Sequence, residues 1–397
     1  MRVMHVINGS GWGGAYQIAG QVCAWQCSRG IEAVVCLLGG GVAKDRALEL
    51  GAPLLSHDSN AHESKRARWS DLQNGYDRIA KEWRPDVIST HMPLSHLLTH
   101  RMLSRHPGPK WVAVVHQSWR MFGHRSHGSA PWLKYYMMLR HGLGEAFITS
   151  RAHRIVAVSD AILRDCMRVG MQKQRITRIY NGIVPVTSRP VPKLRSQLGI
   201  PDHHRLIGTL GHHSPNKGFD QLLKAFLSMA GRFPEVHVVL AGRDSGDTLF
   251  RDGLHRLRDG SAHAARIHIL GEQKSGPEFM SNLDICVVPS IEEAFSLTLV
   301  EAMQFGKPSV VSSGGGCQEV ARDGLESLVF RARNVADLAA KLERLLTDAE
   351  LAARLGRAAE TRARTELTLD RCAREHLQLC EQLLGEAPGA AFRTTDR

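Results

Sequence analysis

Short apolar runs alternate with helical segments along the whole chain, and this alternation strongly limits how the chain can fold. The runs lie at about 2–7, 32–38, 86–90, 111–116, 154–158 and 176–180 in the first half, and at about 205–210, 236–241, 266–270, 284–289 and 308–312 in the second. Apolar runs of this length are typical of strands that are buried on both faces, and strands separated by helices form parallel sheets. The sequence therefore predicts an α/β protein in both halves.

Length and one proline-rich segment divide the chain into two predicted domains. With 397 residues, the chain can form two domains that each bury a core. The segment 184–193 holds three prolines in ten residues, a composition typical of a linker. We therefore predict an N-terminal domain at 1–183, a linker at 184–204 and a C-terminal domain at 205–366. The tail 385–397, which contains Gly, Ala, Pro and Thr, is predicted to be disordered.

Composition argues against several classes of protein. The eight cysteines include no Cys-x-x-Cys pair, and several lie in apolar patterns, so we expect buried free thiols and neither a disulfide framework nor a zinc site. The start, residues 1–9, is interpreted as an apolar strand and not as a signal peptide, and nowhere do eighteen apolar residues run together. We therefore expect a cytoplasmic protein.

Positive charge is concentrated in the first half of the chain. Through residue 190 there are 25 Lys and Arg against 12 Asp and Glu, a net of +13, whereas the remainder carries a net of −1. The interval between Asp86 and Glu145 contains no acidic residue but seven Lys or Arg and eight His. The same interval contains the aromatic residues Trp111, Trp119, Phe122, Trp132, Tyr135 and Tyr136.

A basic surface with aromatic residues suits anionic lipid head groups or a phosphate-bearing acceptor. We therefore expect peripheral contact between the basic N-terminal domain and the inner face of the cytoplasmic membrane. Nucleic acid is the competing partner, but there is no zinc-finger, recognition-helix or RNP-like pattern, so we expect no nucleic acid to bind. A basic face that is merely solvated is the remaining alternative.

Two glutamates, Glu293 and Glu301, lie between two apolar runs of the second half. This order predicts Glu293 on a loop and Glu301 about two turns further on in a helix, at the carboxyl edge of a parallel sheet. Two carboxylates there can accept hydrogen bonds from several hydroxyls at once, as a sugar nucleotide offers on its hexose and its ribose. Because glutamates near a helix start also occur by chance, the pair needs support from its surroundings.

Two glycine-containing turns provide that support. Gly208–Gly218 joins a strand to a helix and carries Lys217, and Ser313–Glu319 directly follows the strand at 308–312. Glycines let backbone N–H groups approach an anion or a sugar closely, and a strand-to-helix turn with a lysine suits a phosphate.

These elements resemble the carboxyl-terminal half of retaining glycosyltransferases of family 4, which carry a glutamate, seven residues and a second glutamate in the same place. The amino-terminal half is similar more loosely, for example through Gly13-Gly14 and the strand that ends at His116. The resemblance covers most of residues 1–385. It implies the GT-B fold, that is, two Rossmann-like doubly wound parallel-sheet domains with a cleft between them. It also implies that the last helix, at 367–384, returns to the N-terminal, acceptor-side domain.

The resemblance implies roles for the matching residues. Lys217 would bind the diphosphate, Glu293 would hold hydroxyls of the transferred sugar, and Glu301 would bind the ribose. Gly14 would let the first loop approach the diphosphate, and His116 would lie near the donor sugar on the acceptor side. Three residues at the start of the helix would offer backbone N–H groups to a phosphate: Ser296, Leu297 and Thr298.

Three positions depart from the family pattern: His212, and also Ala294 and Ser296, which stand where glycine is commoner. His212 stands where the family usually has an arginine that clamps the diphosphate together with the lysine. A histidine is charged only in part at pH 7, so either the diphosphate raises the pKa of His212, or His213, Arg120 or Arg125 supplies the missing charge.

The resemblance implies a metal-independent hexosyltransferase that uses a nucleoside diphosphate sugar as co-substrate and needs no cofactor. The acceptor would be a saccharide or a lipid-linked saccharide, as in bacterial cell-surface polysaccharide or lipopolysaccharide biosynthesis. The sequence contains no Asp-x-Asp that would hold a phosphate-bridging cation. Two alternatives stay open: a sugar-nucleotide isomerase or hydrolase, and a catalytically silent sugar-nucleotide- or lipid-binding protein, of which His212 would be a first sign.

Overall fold

A computed structural model describes residues 1–385 except 10–12, 40–41, 59–64, 121–130, 189 and 245; the side chains of 42, 65–66 and 131–135 are also outside the description. The chain forms two compact units. The first comprises 1–117, 139–182 and the chain from Leu369 on, and the second comprises 118–138 and 183–368. Nearly all of the predicted disordered tail, from residue 386, lies outside the described residues.

The first unit contains a seven-stranded parallel sheet in the order β3-β2-β1-β4-β5-β6-β7. Its strands are β1 Arg2–Asn8, β2 Glu32–Leu38, β3 Leu54–His57, β4 Val87–Thr90, β5 Lys110–Val115, β6 Arg154–Ala157 and β7 Ile176–Arg178. Its helices are Gly14–Ser28, Val42–Glu49, Lys65–Trp83, Pro93–Arg105, Asp160–Arg168 and Leu369–Leu384, together with the carboxyl-terminal part of Pro131–Thr149.

Both faces of this first sheet are covered by apolar side chains. On β1, Val3 and Ile7 belong to the core on one face, and Met4 and Val6 belong to the core on the other. Successive residues of a strand point to opposite faces, so a strand that is apolar throughout is buried on both. The continuous apolar runs of the sequence follow from this arrangement.

The second unit contains a six-stranded parallel sheet in the order β10-β9-β8-β11-β12-β13. Its strands are β8 Arg205–Leu210, β9 Val236–Ala241, β10 Ile267–Leu270, β11 Ile285–Val288, β12 Ser309–Ser312 and β13 Leu328–Phe330. Its helices are Leu194–Gln197, Phe219–Met229, Thr248–Asp259, Gly276–Ser281, Leu297–Met303, Cys317–Val320, Val335–Thr347 and Ala349–Thr365. The predicted α/β architecture with two parallel sheets is confirmed.

Two strands at sheet edges were not predicted from the sequence. β3 (Leu54–His57) is half-buried and partly polar, and β13 (Leu328–Phe330) has three residues, so neither gives a long apolar run. The prediction also placed Trp111 and Trp119 among the residues of a basic, aromatic surface, and this is wrong because both side chains are buried. Trp111 lies on β5 inside the sheet, where its indole N–H donates to Thr90 Oγ1 at 2.8 Å.

The cysteines and helices bear on two further expectations. All eight cysteines are free thiols and seven of them are buried, which confirms the expectation of buried free thiols. Among the helices of the described residues, none is both long enough and apolar enough to cross a membrane.

Candidate functional site

The second sheet reverses its strand order between β8 and β11. From β8 the chain continues to β9 on one side, whereas β11 pairs with β8 on the other. Connections therefore leave the two strands in opposite directions, which opens a crevice beyond their carboxyl ends where α/β proteins bind ligands. His212 and Lys217 follow β8, and Glu293 follows β11. The strand order thus places three predicted site residues at the rim of one crevice.

Lys217 and Glu293 form an ion pair in this crevice. Lys217 Nζ donates to Glu293 Oε2 at 2.5 Å, and Ser290 Oγ donates to the same oxygen at 3.1 Å. Burial opposes the positive charge of Lys217, but the attraction and the hydrogen bond of Glu293 outweigh burial and raise the pKa of Lys217. Lys217 is therefore charged at pH 7. A cation that suits a phosphate and a carboxylate that suits sugar hydroxyls are therefore hydrogen-bonded to each other in this crevice.

The loop of Glu293 rests on the glycine turn that follows β12. The N–H of Gly316 donates to the carbonyl oxygen of Glu293 at 2.7 Å. Gly315 has a φ of +72°, and a Cβ at Gly315 would lie 2.1 Å from that oxygen, so a larger residue would both strain the backbone and clash. The close approach predicted for this turn is thus made to the loop that carries Glu293. Its approach to an anion or a sugar stays a prediction.

His212 lies beside two cations at the end of β8. Desolvation lowers the pKa of His212, and the positive charges of Arg243 and Lys217 lower it further. The half-buried Arg243 follows β9, where its carbonyl oxygen accepts from the N–H of His213 at 2.9 Å. Of the residues expected to supply charge in place of the arginine, His213 is buried against Phe219, and Arg125 lies outside the described residues.

The helix Leu297–Met303 begins at the rim of the same crevice. Ser296 caps it, because its Oγ accepts from the N–H of Leu299 at 3.2 Å. The N–H groups of Leu297 and Thr298 precede the first helical hydrogen bond and have no acceptor within the helix. Thr298 Oγ1 donates to the carbonyl oxygen of Leu210, the last residue of β8, at 3.4 Å. These contacts tie the helix start to β8.

Glu301 is buried in the same helix, with 8% of the residue exposed. Burial raises the pKa of Glu301 to about 7. Its carboxyl group fills the space in front of Gly276, since a Cβ built on Gly276 would lie 2.3 Å from Glu301 Oε2. Gly276 therefore leaves the room in which this carboxyl group lies.

Two predicted site residues, Gly14 and His116, belong to the first unit. Gly14 is exposed and begins the helix Gly14–Ser28, and the preceding residues 10–12 lie outside the described residues. His116 directly follows β5, and its ring is half-buried. Its Nε2 lies 3.0 Å from Nδ1 of His91, and burial, with a smaller contribution from His96, lowers the pKa of His116 to about 3. The ring is therefore neutral at pH 7.

Reasoning from the sequence missed two residues that shape the second unit's crevice, Arg243 and Gly276. Arg243 follows β9, and strand adjacency would have placed it beside His212 had the order of the strands been known. Gly276 gives no signal in the sequence, because its role depends on which helix packs in front of it. Among the described residues, no group of three or more His, Cys, Asp or Glu is arranged to hold a metal ion.

Comparison with known proteins establishes the family. Residues 12–186 match the model of the Glycosyltransferase Family 4, and residues 190–362 match the model of the Glycosyl transferases group 1. Two parallel doubly wound sheets carrying these matches define a protein of the GT-B class. The chain belongs to the group 1 glycosyltransferases of family 4, as predicted from the sequence.

Individual relatives are more distant. The D-inositol 3-phosphate glycosyltransferase of Mycobacterium tuberculosis is 30% identical over 210 residues, which are 51% of this chain and 43% of the relative. The chain thus matches less than half the length of this curated relative. HepE of Anabaena, crystallised with UDP and glucose, has a TM-score of 0.82 at 21% identity, over 96% of this chain and 99% of its own. WaaG, a glycosyltransferase involved in lipopolysaccharide biosynthesis, has a TM-score of 0.72 at 15% identity, over 97% and 100%.

Proposed function

We propose that the protein transfers a hexose-type sugar from a nucleoside diphosphate sugar to a saccharide or lipid-linked saccharide, with retention of anomeric configuration and without a metal ion. The observation that carries the proposal is the ion pair of Lys217 and Glu293 at the reversal point of the second sheet. Breaking the glycosyl–phosphate bond develops negative charge on the diphosphate and positive charge on the sugar, so the site needs cations for one and hydrogen-bond acceptors for the other.

The residues of the crevice divide these tasks. Lys217, with Arg243 beside His212, stabilises the diphosphate as its bond to the anomeric carbon breaks. Lys217 has three N–H donors, so it can hold a phosphate oxygen and Glu293 together. Glu293 accepts hydrogen bonds from sugar hydroxyls, and Glu301 accepts from the ribose. The acceptor oxygen bonds to the anomeric carbon on the face that the phosphate leaves, and the departing phosphate takes the acceptor proton.

Donor binding is tested first by thermal shift with UDP, GDP, ADP and their sugar conjugates. UDP-glucose heads the panel because the similarly folded HepE of Anabaena was crystallised with it. A charge-assisted hydrogen bond contributes about 2 kcal/mol, so Lys217→Ala should lower the affinity for whichever nucleotide sugar stabilises the protein by roughly thirtyfold. Lys224→Ala is the matched control, because Lys224 is half-exposed and pairs with Asp220 on the next helix. No stabilisation by any nucleotide sugar would refute the proposal.

Turnover separates a transferase from a silent binder. Glu293→Gln is preferable to Glu293→Ala, because glutamine removes the negative charge but still offers Lys217 a hydrogen-bond acceptor. We expect turnover to fall by roughly two orders of magnitude or more while the protein stays folded. A wild-type protein that binds the donor but transfers no sugar, even to water, would instead support the catalytically silent alternative.

The acceptor proposal includes a peripheral site on an anionic membrane, as polysaccharide or lipopolysaccharide assembly at the inner leaflet would require. The helix Pro131–Thr149 carries an apolar stripe of Leu139, Leu143 and Phe147, with 37%, 50% and 72% of each residue exposed. Residues four apart share a helix face. Arg140, which follows Leu139 in the chain, and Arg151, two residues beyond the end of the helix, are also exposed. An exposed apolar stripe with positive charge near it in the chain suits an anionic lipid surface.

Vesicle sedimentation tests this contact. Phe147→Glu should abolish binding to phosphatidylglycerol-containing vesicles at low salt, and wild-type binding should weaken steeply with added salt. Leu249→Glu is the control, since Leu249 is 79% exposed on a helix of the second unit. Equal loss in both variants, or wild-type binding that does not respond to salt, would refute the membrane contact.

A further inference from the structure

Three histidines lie in a line across the reversal point of the first sheet. His5 is on β1, His91 follows β4 and His116 follows β5, and β4 lies between β1 and β5. His116 Nε2 is 3.0 Å from His91 Nδ1, and His91 Nε2 is 3.1 Å from His5 Nδ1. In the middle ring, His91, Nδ1 thus faces His116 and Nε2 faces His5.

The line ends at an amide inside the protein. His5 Nε2 is 2.8 Å from Oε1 of Gln26, which lies on the helix Gly14–Ser28. Gln26 is fully buried, and its Nε2 has no hydrogen-bond partner. Hydrogen bonds therefore connect the core at Gln26 with the half-buried ring at the carboxyl edge of β5.

A neutral imidazole has one N–H and one lone pair, so the protons of such a line are coupled. Burial lowers the pKa of His5 to about 4 and that of His91 well below its usual value, so both rings are neutral at pH 7. Because Gln26 Oε1 only accepts, His5 Nε2 carries the proton and Nδ1 accepts from His91. His91 therefore carries its proton on Nε2, and its Nδ1 accepts from His116. His116 in turn carries its proton on Nε2 and has a lone pair on Nδ1.

Other polar groups surround the line. Ser89 Oγ lies 3.3 Å from His91 Nε2. On the helix Leu369–Leu384, burial and then electrostatic repulsion from His5, His116 and Arg371 lower the pKa of His376 to about 3, so this ring is also neutral at pH 7. On the side of the helix Pro93–Arg105, His96 is paired with Glu145. None of these contacts involves the two nitrogens that join His91 to His116.

We propose that Gln26, His5 and His91 are positioning residues that fix the tautomer of His116, so that its Nδ1 presents a lone pair and accepts a hydrogen bond from a sugar hydroxyl. This inference rests on the proposed function, because it assigns the ligand of His116 as a sugar. It gives a functional reason for a line of buried polar groups, which is otherwise unfavourable in a core because any group left unpaired there lowers stability.

The tautomer can be measured without substrate by ¹⁵N NMR of the histidine rings at pH 7. We expect Nε2 of His116 to be protonated and Nδ1 to be unprotonated. In His91→Phe the Nε2–H loses its acceptor, and a buried donor without a partner is unfavourable, so the tautomer with the proton on Nδ1 should become populated. A wild-type ring protonated on Nδ1, or an unchanged ring in His91→Phe, would overturn the proposal.

Gln26→Met and Gln26→Glu keep the test sharp if His91→Phe does not fold. Methionine removes the acceptor at the far end, whereas a carboxylate retains it. We expect kcat to fall about tenfold in His91→Phe, because the loss of one hydrogen bond costs about 1.4 kcal/mol. In Gln26→Met kcat should fall less, and in Gln26→Glu it should be largely retained. The KM for the donor should stay within about twofold in all three variants. Equal loss in both Gln26 variants would contradict the coupling.

The second unit offers a matched control. His204, His237 and His268 form a similar line, with nitrogen–nitrogen distances of 2.9 and 3.0 Å. His237→Phe should cost stability as His91→Phe does, but leave the tautomer of His116 and kcat unchanged.

Two outcomes separate this inference from the proposed function. If the tautomers are as expected but the protein turns over no donor, the proposed function is refuted and the positioning of His116 stands. If the protein turns over donor but the tautomer of His116 is the same with and without His91, only the positioning is refuted.

Discussion

Replacing Glu301 by glutamine should stabilise the unliganded protein at alkaline pH. The carboxyl group is buried in front of Gly276, and burial raises its pKa from 4.5 to about 7. A group whose pKa is higher in the folded than in the unfolded state contributes its full stability below pH 4.5 and loses it as pH rises through 7. Glutamine does not titrate, so the Glu301→Gln variant lacks this loss.

The size of the effect follows from the two pKa values. At pH 8.5 the raised pKa costs the folded state about 3 kcal/mol, and at pH 5.5, where the folded carboxyl group is mostly protonated, it costs about 1 kcal/mol. The difference in unfolding free energy between variant and wild type should therefore grow by about 2 kcal/mol between these pH values. Any constant effect of the amide cancels in this comparison.

Urea unfolding at pH 5.5, 7 and 8.5 measures the effect. Glu278→Gln, at an exposed position in the neighbouring helix Gly276–Ser281, is the control and should show no such growth. The same Glu301→Gln variant should bind the nucleotide about tenfold more weakly, because an amide is a poorer acceptor for ribose hydroxyls than a carboxylate. A gain in stability that is flat with pH, or that shrinks towards pH 8.5, would refute the burial argument.

Three further predictions concern the two units. Gly276→Ala should weaken nucleotide binding about tenfold but lower the unfolding free energy by less than about 1 kcal/mol, since the added methyl displaces only the end of the Glu301 side chain. Equal losses of binding free energy in calorimetry and of unfolding free energy in urea would contradict this. Arg243→Met should weaken diphosphate binding and reduce its salt dependence without lowering Tm, and unchanged titration calorimetry would exclude Arg243 from the site. The unfolding free energy should fall by about 3 kcal/mol between pH 7 and pH 4 because of His5, whose pKa is lowered to about 4 in the folded state, so that the unfolded chain takes up the proton first. In urea unfolding, the His5→Asn variant should lose correspondingly less unfolding free energy over the same pH range.

Much of the fold could be predicted because it is encoded locally. Strands buried on both faces need continuous apolar runs, and the longer strands from β1 to β12 stand out for this reason. β3 and β13 escaped because an edge strand needs little apolar surface and few residues. The surface was harder to predict: Trp111 lies within a basic stretch of sequence but is buried on a central strand.

For the site, local pattern and tertiary packing contributed different parts. Residues that follow parallel strands collect at one edge of a sheet, so Lys217 and Glu293 could be assigned to that edge from the sequence. Their ion pair, the position of Arg243 beside His212, the space at Gly276 and the line from Gln26 to His116 could not. Each of these depends on which strands and helices become neighbours. That choice is made by the packing of the whole core, across separations of tens of residues that no local pattern records.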